Sequence, residues 1–486
     1  MSNAKIIINK NYTVGKIDDR IYGSFVEHLG RCVYKGIYES DHSTSDSDGF
    51  RQDVIELVKE LNVPIVRYPG GNFVSGYNWE DGVGPVEDRP QRKDLAWNVI
   101  EPNTIGTNEF AKWAKKVNTE VMMAVNLGTR GPQDACNLLE YCNHPFGTYY
   151  SDLRIKHGVK DPHNIKLWCL GNEMDGPWQI GYKTAYEYGR LACETARMMK
   201  WSDPSVELVA CGSSGYGMPT FGAWEATVLD ETYDLVDYIS MHQYYEKGAR
   251  STAAFLAQTL DMEEFIKRTV AVCDYIGAKK KSNKKINISF DEWNVWKRGE
   301  QNEERRKWGI YTHEEAVLAG SMLISLIRHA NRVKVACQAQ LVNVIAPILT
   351  KPGGNAIRQT IFYPYLHASL YGRGTALHTL VECEKYNCPE YSDVPYIDSI
   401  AVETEKGVTL FAVNRSNEEV TLECRAENFI CANNPKHTAM FEDNIEAMNT
   451  FDNPDCVKPK SVQGIIIEDN IIKAKLQPIS WNVIQF

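Results

Sequence analysis

Two glutamates stand in settings that suit acid–base chemistry on a sugar. Glu173 lies within Trp168-Cys169-Leu170-Gly171-Asn172-Glu173-Met174-Asp175-Gly176-Pro177-Trp178. The apolar run over 165–170 reads as a buried strand. Gly171 stops it, an amide and a carboxylate follow at once, and Gly176-Pro177 turns the chain away. Glu292 repeats the design in Ile286-Asn287-Ile288-Ser289-Phe290-Asp291-Glu292-Trp293-Asn294-Val295-Trp296. Aromatic faces stack on the apolar C–H faces of a sugar, and a carboxyl group desolvated beside them can stay protonated near neutral pH. Glycoside hydrolysis commonly needs two carboxyls, one to protonate the leaving oxygen and one to attack or to activate water. A solvated strand end accounts for one such Glu. Two in matching contexts point to a working pair.

Strand–helix alternation supplies the frame. Apolar runs over 21–26, 63–68, 121–125, 165–170, 206–210, 235–240, 286–290 and 335–339 read as strands. Between them, apolar residues recur at helical spacing, as in Val54, Ile55, Val58 and Leu61 or Phe110, Trp113, Ala114 and Val117. Eight such units argue a closed (β/α)₈ TIM barrel with parallel strands. Its active site belongs at the C-terminal strand ends. Glu27, Asn72, Asn126, Asn172, Glu173, His242, Tyr244, Glu292 and Gln340 all fall there. Beyond about Arg373 short strands alternate with turn residues and no long helical face appears, which reads as an all-β sandwich. Ile6 to Ile8 and Tyr12 to Val14 form a short strand or hairpin that joins it. The expected division is 1–16 with the β-sandwich, 17–375 as catalytic barrel and 376–486 as C-terminal β-sandwich.

Composition narrows the function. The 486 residues are 43% hydrophobic, ample for a large core and long for one domain. A net charge of −10 favours neither nucleic acid nor an anionic membrane surface. Thirteen cysteines without regular spacing, and a start lacking an apolar signal core, fit reduced thiols in the cytoplasm. Gly212-Ser213-Ser214-Gly215-Tyr216-Gly217 lacks dinucleotide-fingerprint spacing, and the acidic loop at Asp46 and Asp48 fails the calcium-ligand rule. No HExxH occurs, so neither a metal nor another cofactor is expected.

Six collinear motifs carry a resemblance. They are Ile21 to Arg31 (IYGSFVEHLGR), Arg67 to Phe73 (RYPGGNF), Gly171 to Trp178 (GNEMDGPW), His242 to Tyr245 (HQYY), Asp291 to Trp296 (DEWNVW) and Gln340 to Asn343 (QLVN). The chain resembles the α-L-arabinofuranosidases of glycoside hydrolase family 51 over nearly its whole length. The resemblance implies a (β/α)₈ barrel followed by a β-sandwich that the N-terminus completes. It implies Glu173 as general acid/base and Glu292 as nucleophile, an assignment the residues alone leave open. It implies Glu27, Asn72, Asn172, Tyr244 and Gln340 as arabinofuranose-binding residues, and an intracellular homohexamer without a metal. Trp97, Trp178 and Trp296 are candidate aromatic walls. Two departures bear on the choice of aglycone. Segment 297–314 is short, and Ile357 stands where the family pattern has Trp.

The function expected is exo-acting, retaining release of terminal arabinofuranose from arabinoxylan or arabinan oligosaccharides. Trp168 and Trp178 lie near Glu173 in sequence and are expected to desolvate it, with repulsion from Glu292 adding to the effect. An endo-β-glucanase on the same barrel and a non-catalytic sugar-binding barrel are the rival readings.

Overall fold

The computed structural model describes residues 2–296, 305, 308–429 and 434–486. Eight parallel strands close into a barrel in chain order. They are Gly23–Phe25, Ile65–Tyr68, Glu120–Val125, Leu167–Leu170, Glu207–Ala210, Tyr238–Tyr245, Asn287–Val295 and Val333–Ala339. The eighth strand returns to the first with Cys337 opposite Gly23. The approach is close, since a β-carbon on Gly23 would lie 2.7 Å from the Ala336 carbonyl oxygen. Alternate residues fill the lumen, among them Phe25, Ile65, Met122, Leu167, Val209 and Val335. The other set packs outward against helices such as Gln52–Leu61, Thr107–Val117 and Ala185–Ser202. The helices start where side chains satisfy free amides. Thr184 with Glu187, and Thr312 with Glu315, form reciprocal capping boxes.

Two barrel strands run further than their apolar residues imply. The sixth continues through His242 to Tyr245 and the seventh through Glu292 to Val295. Their ladder persists with Glu292 opposite His242 and Asn294 opposite Tyr244. His242, Tyr244 and Glu292, taken for strand ends, thus lie within paired strands, and the ladder shifts register between Ser289 and Glu292. An antiparallel hairpin, Arg92–Asp94 with Val99–Glu101, occupies a stretch that reads as loop. Ile357 packs with Ile310 and Leu349 in a small satellite cluster. In segment 297–314, residues 297–304, 306 and 307 lie outside the described residues.

The C-terminal part is one curled ten-stranded sheet. Residues from both of its wings, including Ile6, Leu410, Leu422 and Ile472, share a single apolar core. The N-terminus enters as one strand, Ser2–Lys16, not a hairpin. It runs antiparallel to Thr375–Glu382 and parallel to Val420–Glu427. Helix His313–Arg328 lies between barrel and sheet. His313 Nε2 meets the Ile479 carbonyl oxygen at 2.8 Å, and Arg328 donates to Asp398 at 2.5 Å. Among the described residues every cysteine is free, and no helix is long and apolar enough to cross a membrane.

Gly320 is where that helix meets the sheet: a β-carbon there would lie 2.5 Å from Trp481 Cε3. Gly320→Val should therefore destabilise by about 1–3 kcal/mol, the usual cost of overpacking. A lowered Tm in thermal unfolding checks this; an unchanged Tm contradicts the close packing.

Candidate active site

The C-terminal strand ends enclose a cavity of about 540 Å³, a size that suits a small ligand. Glu27, Asn72, Trp97, Glu173, Trp178, Tyr244, Glu292, Trp296 and Gln340 all line it. Asn172 does not. It is buried one step behind, where its Oδ1 accepts from Arg67 Nη2 at 2.7 Å. Its Nδ2 makes only long contacts of 3.4 Å, to Asn72 and Gln179.

The fourth strand delivers Glu173 through a sharp turn. Gly171 has φ +96° and Glu173 itself φ +43°. Left-handed backbone at a non-glycine residue costs roughly 1–3 kcal/mol and persists where the surroundings hold it. Here Trp178 Nε1 donates to Glu173 Oε2 at 2.6 Å, and His242 Nδ1 meets Oε1 at 3.0 Å. Glu292 is held on both oxygens, by Arg67 Nη1 at 2.6 Å and by the Tyr244 hydroxyl at 2.8 Å. Trp296 packs edge-on against Tyr244, with ring centres 4.9 Å apart.

His242 stands between the two carboxylates, with Nδ1 also 3.6 Å from Glu292. Its Nε2 meets Asp291 at 3.1 Å. Burial pushes the imidazole pKa down, but the charge of Glu292 and the hydrogen bonds to Asp291 and Glu173 outweigh it and raise it to about 10. Ligand atoms of Glu173, His242 and Glu292 all lie within 4.8 Å of one another. A divalent cation could be held there only after His242 lost its proton.

Glu27 forms the opposite wall. Its Oε1 accepts from the Phe73 amide at 3.0 Å and from Trp97 Nε1 at 2.9 Å, and its Oε2 from Gln340 at 3.3 Å. Burial, then repulsion from Glu292, push its carboxyl up to about 8 against these hydrogen bonds.

The sequence reading gave no role to Arg67 or Asp291, and named His242 only as a polar strand end. A charged residue inside the apolar strand Ile-Val-Arg-Tyr was the available signal for Arg67. Trp168, expected beside Glu173, is fully buried, does not line the cavity, and donates to the Ile165 carbonyl. Asn126 is structural: its side chain caps the turn at Gly128 and Thr129.

Two facing carboxylates at the ends of the fourth and seventh strands of a (β/α)₈ barrel, walled by tryptophans, place the molecule among the barrel glycoside hydrolases. The sequence models "Alpha-L-arabinofuranosidase 1 domain" and "Alpha-L-arabinofuranosidase C-terminal domain" match residues 57–268 and 291–480. The chain is 55% identical to the intracellular exo-α-(1→5)-L-arabinofuranosidase 1 of Bacillus subtilis, over 100% of this chain and 99% of that one. It is 57% identical, with the same coverage, to the intracellular exo-α-(1→5)-L-arabinofuranosidase of Acetivibrio thermocellus. A solved family 51 α-L-arabinofuranosidase from Bifidobacterium longum shares its fold at TM-score 0.95 and 43% identity, with 100% of both chains covered. The chain belongs to the family 51 α-L-arabinofuranosidases.

The raised Glu27 pKa gives a test by stability. A carboxyl that titrates near 8 when folded and near 4.5 in its ordinary state favours folding most below the lower value. That contribution is lost as pH rises toward 8. Glu27→Gln cannot ionise, so its Tm relative to wild type should improve from pH 5 to pH 8. A Tm difference that stays constant with pH contradicts the shift.

Proposed function

We propose that this chain releases terminal non-reducing α-L-arabinofuranosyl residues from arabinoxylan and arabinan oligosaccharides, acting exo and with retention of configuration. The spacing of the paired carboxylates carries the reading. Oxygens of Glu173 and Glu292 lie within 4.8 Å of each other. Retaining hydrolysis uses carboxyl groups about 5–5.5 Å apart, whereas inversion needs about 6.5–9.5 Å to admit a water.

In this mechanism Glu292 is the nucleophile. Arg67 and Tyr244 fix both of its oxygens, so the attacking lone pair is aimed before substrate arrives. Glu173 gives a proton to the leaving oxygen as Glu292 bonds the anomeric carbon, and the aglycone departs as an alcohol. A water then gives its proton to Glu173 and displaces Glu292, which frees arabinose. Glu27, Asn72 and Gln340 bind the sugar hydroxyls. Asn172, behind the pocket wall, acts through the Arg67 guanidinium that it holds. Trp97, Trp178 and Trp296 form the walls. Polar groups converging from several strand ends suit one furanose ring and reject sugars whose hydroxyls are misplaced.

The α-(1→5) specificity named for the Bacillus subtilis and Acetivibrio thermocellus relatives supports α-(1→5)-linked substrates, and their being named intracellular supports the cytoplasm. A homohexamer is proposed on the family resemblance; light scattering tests it. The division at 1–16, 17–375 and 376–486 belongs to the same reading, supported by the N-terminal strand lying within the C-terminal sheet.

Arabino-oligosaccharides should yield free arabinose one unit at a time, with the α-anomer first in NMR spectra. A ladder of internal fragments, or faster turnover of a β-glucan, would favour the endo-glucanase. Glu292→Ala should lose turnover on every substrate. Glu173→Ala should lose about 10²–10⁴-fold on oligosaccharides, the usual value of general acid catalysis, and much less in the bond-breaking step with an activated phenolate leaving group. Equal losses on both substrates would reject the role given to Glu173.

A further inference from the structure

We propose that Glu101 and His28 are positioning residues: from outside the pocket they hold hairpin Arg92–Asp94/Val99–Glu101 so that Trp97 meets Glu27. The inference rests on the arabinofuranose pocket proposed above, in which Trp97 and Glu27 touch the sugar.

A two-stranded hairpin is marginally stable by itself, and this one has only three ladder pairs. Apart from Trp97, which packs against the core, apolar burial does little to dock it. Leu95, Val99 and Ile100 are 69%, 47% and 62% exposed. Polar anchors at its two ends do the docking. At the tip, Trp97 Nε1 donates to Glu27. At the base, Glu101 is buried. Its Oε2 faces His28 Nδ1 at 2.9 Å, and its Oε1 accepts from the Tyr34 hydroxyl at 2.5 Å and the Asn103 amide at 2.8 Å. Glu101 accepts on both oxygens, so His28 Nδ1 is the donor.

Glu27 and His28 are adjacent, so one dipeptide at the end of the first barrel strand grips both ends of the hairpin. Phe73 joins the two grips. Its amide donates to Glu27 while its ring stacks on His28 at 4.6 Å. Asp94 stiffens the tip by accepting from the Ala96 and Trp97 amides at 3.1 and 2.9 Å. A shift at the base therefore reaches the Trp97 indole, and neither grip contacts the Glu173–Glu292 pair through a hydrogen bond among those described.

Glu101→Gln keeps the shape and removes the charge. The test is steady-state kinetics on an aryl α-L-arabinofuranoside. Loss of a charge-assisted buried hydrogen bond should raise KM about tenfold, with kcat within about twofold. Trp97→Phe should also raise KM, and adding Glu101→Gln to it should raise KM little further, because both changes break the same connection. Should Glu101→Gln fail to fold, Tyr34→Phe, which removes one donor to Glu101, should show a smaller KM rise and the same lack of additivity with Trp97→Phe. Effects that multiply in the double variant, or a fall in kcat at constant KM, overturn the positioning role alone. A wild type inactive on the arabinofuranoside overturns the pocket reading and this inference with it.

Discussion

A buried guanidinium sets the spacing of the strand ends. Arg67 is 1% exposed in the barrel mouth, where an uncompensated charge would cost several kcal/mol. Its partners must therefore stay in place. Glu292 on the seventh strand and Asn172 after the fourth accept from its two terminal nitrogens. Asp291 lies 3.9 Å from Nε, and the Phe25 ring of the first strand lies 5.0 Å from the guanidinium carbon. Four strands are thus referred to one rigid, planar cation. A lysine could not do this, since its ammonium is a single point with no bidentate geometry.

That cation also settles how four acidic side chains share so small a volume. Glu27, Glu173 and Glu292 line the pocket with Asp291 behind them, and Arg67 with His242 are the opposing cations. Burial raises the Glu27 carboxyl pKa, while the carboxylates around His242 raise that of its imidazole. Asp291 contributes without touching the cavity. It meets the far nitrogen of His242 and so orients the imidazole between Glu173 and Glu292. In the proposed mechanism, a proton leaving Glu173 departs from a carboxyl already hydrogen-bonded to an imidazole at 3.0 Å. The charged imidazole then stabilises the carboxylate that the proton leaves behind.

Much of this was legible in the sequence, and the rest was hidden for identifiable reasons. The barrel was readable because period-2 and period-3.6 apolar patterns are local. Glu173 was readable because Gly171 ends its strand, and Glu292 because it shares a carboxylate-then-Trp context with Glu173. Trp168 was misplaced because nearness in sequence is not nearness in space. Along a strand successive side chains point to opposite faces, and Trp168 belongs to the face that meets the helices. Partner choice was not legible at all. That Arg67 would find Glu292, 225 residues away, depends on barrel closure and strand stagger. The 92–101 hairpin was missed because its strands of three residues each are too short to show the alternation that marks a half-buried strand.

The C-terminal sheet contributes to this site without entering it. Among the described residues, none lining the cavity lies beyond Ile345. Yet the chain that leaves Glu292 leads into helix His313–Arg328, whose residues from His313 to Ile327 are all buried. A helix buried on every side must have neighbours all round. One side packs on the barrel and the other on the sheet, where Trp481 presses against Gly320. Arg328 spans the junction, joined to Glu263 of the preceding barrel helix and to Asp398 of the sheet. The sheet thus supplies the second wall of a slot for the helix behind the strand that carries Glu292. Productive geometry must be held to a fraction of an ångström, and a helix packed on two sides resists displacement better than one backed by solvent. The sheet thereby stiffens the frame in which Glu292 is held.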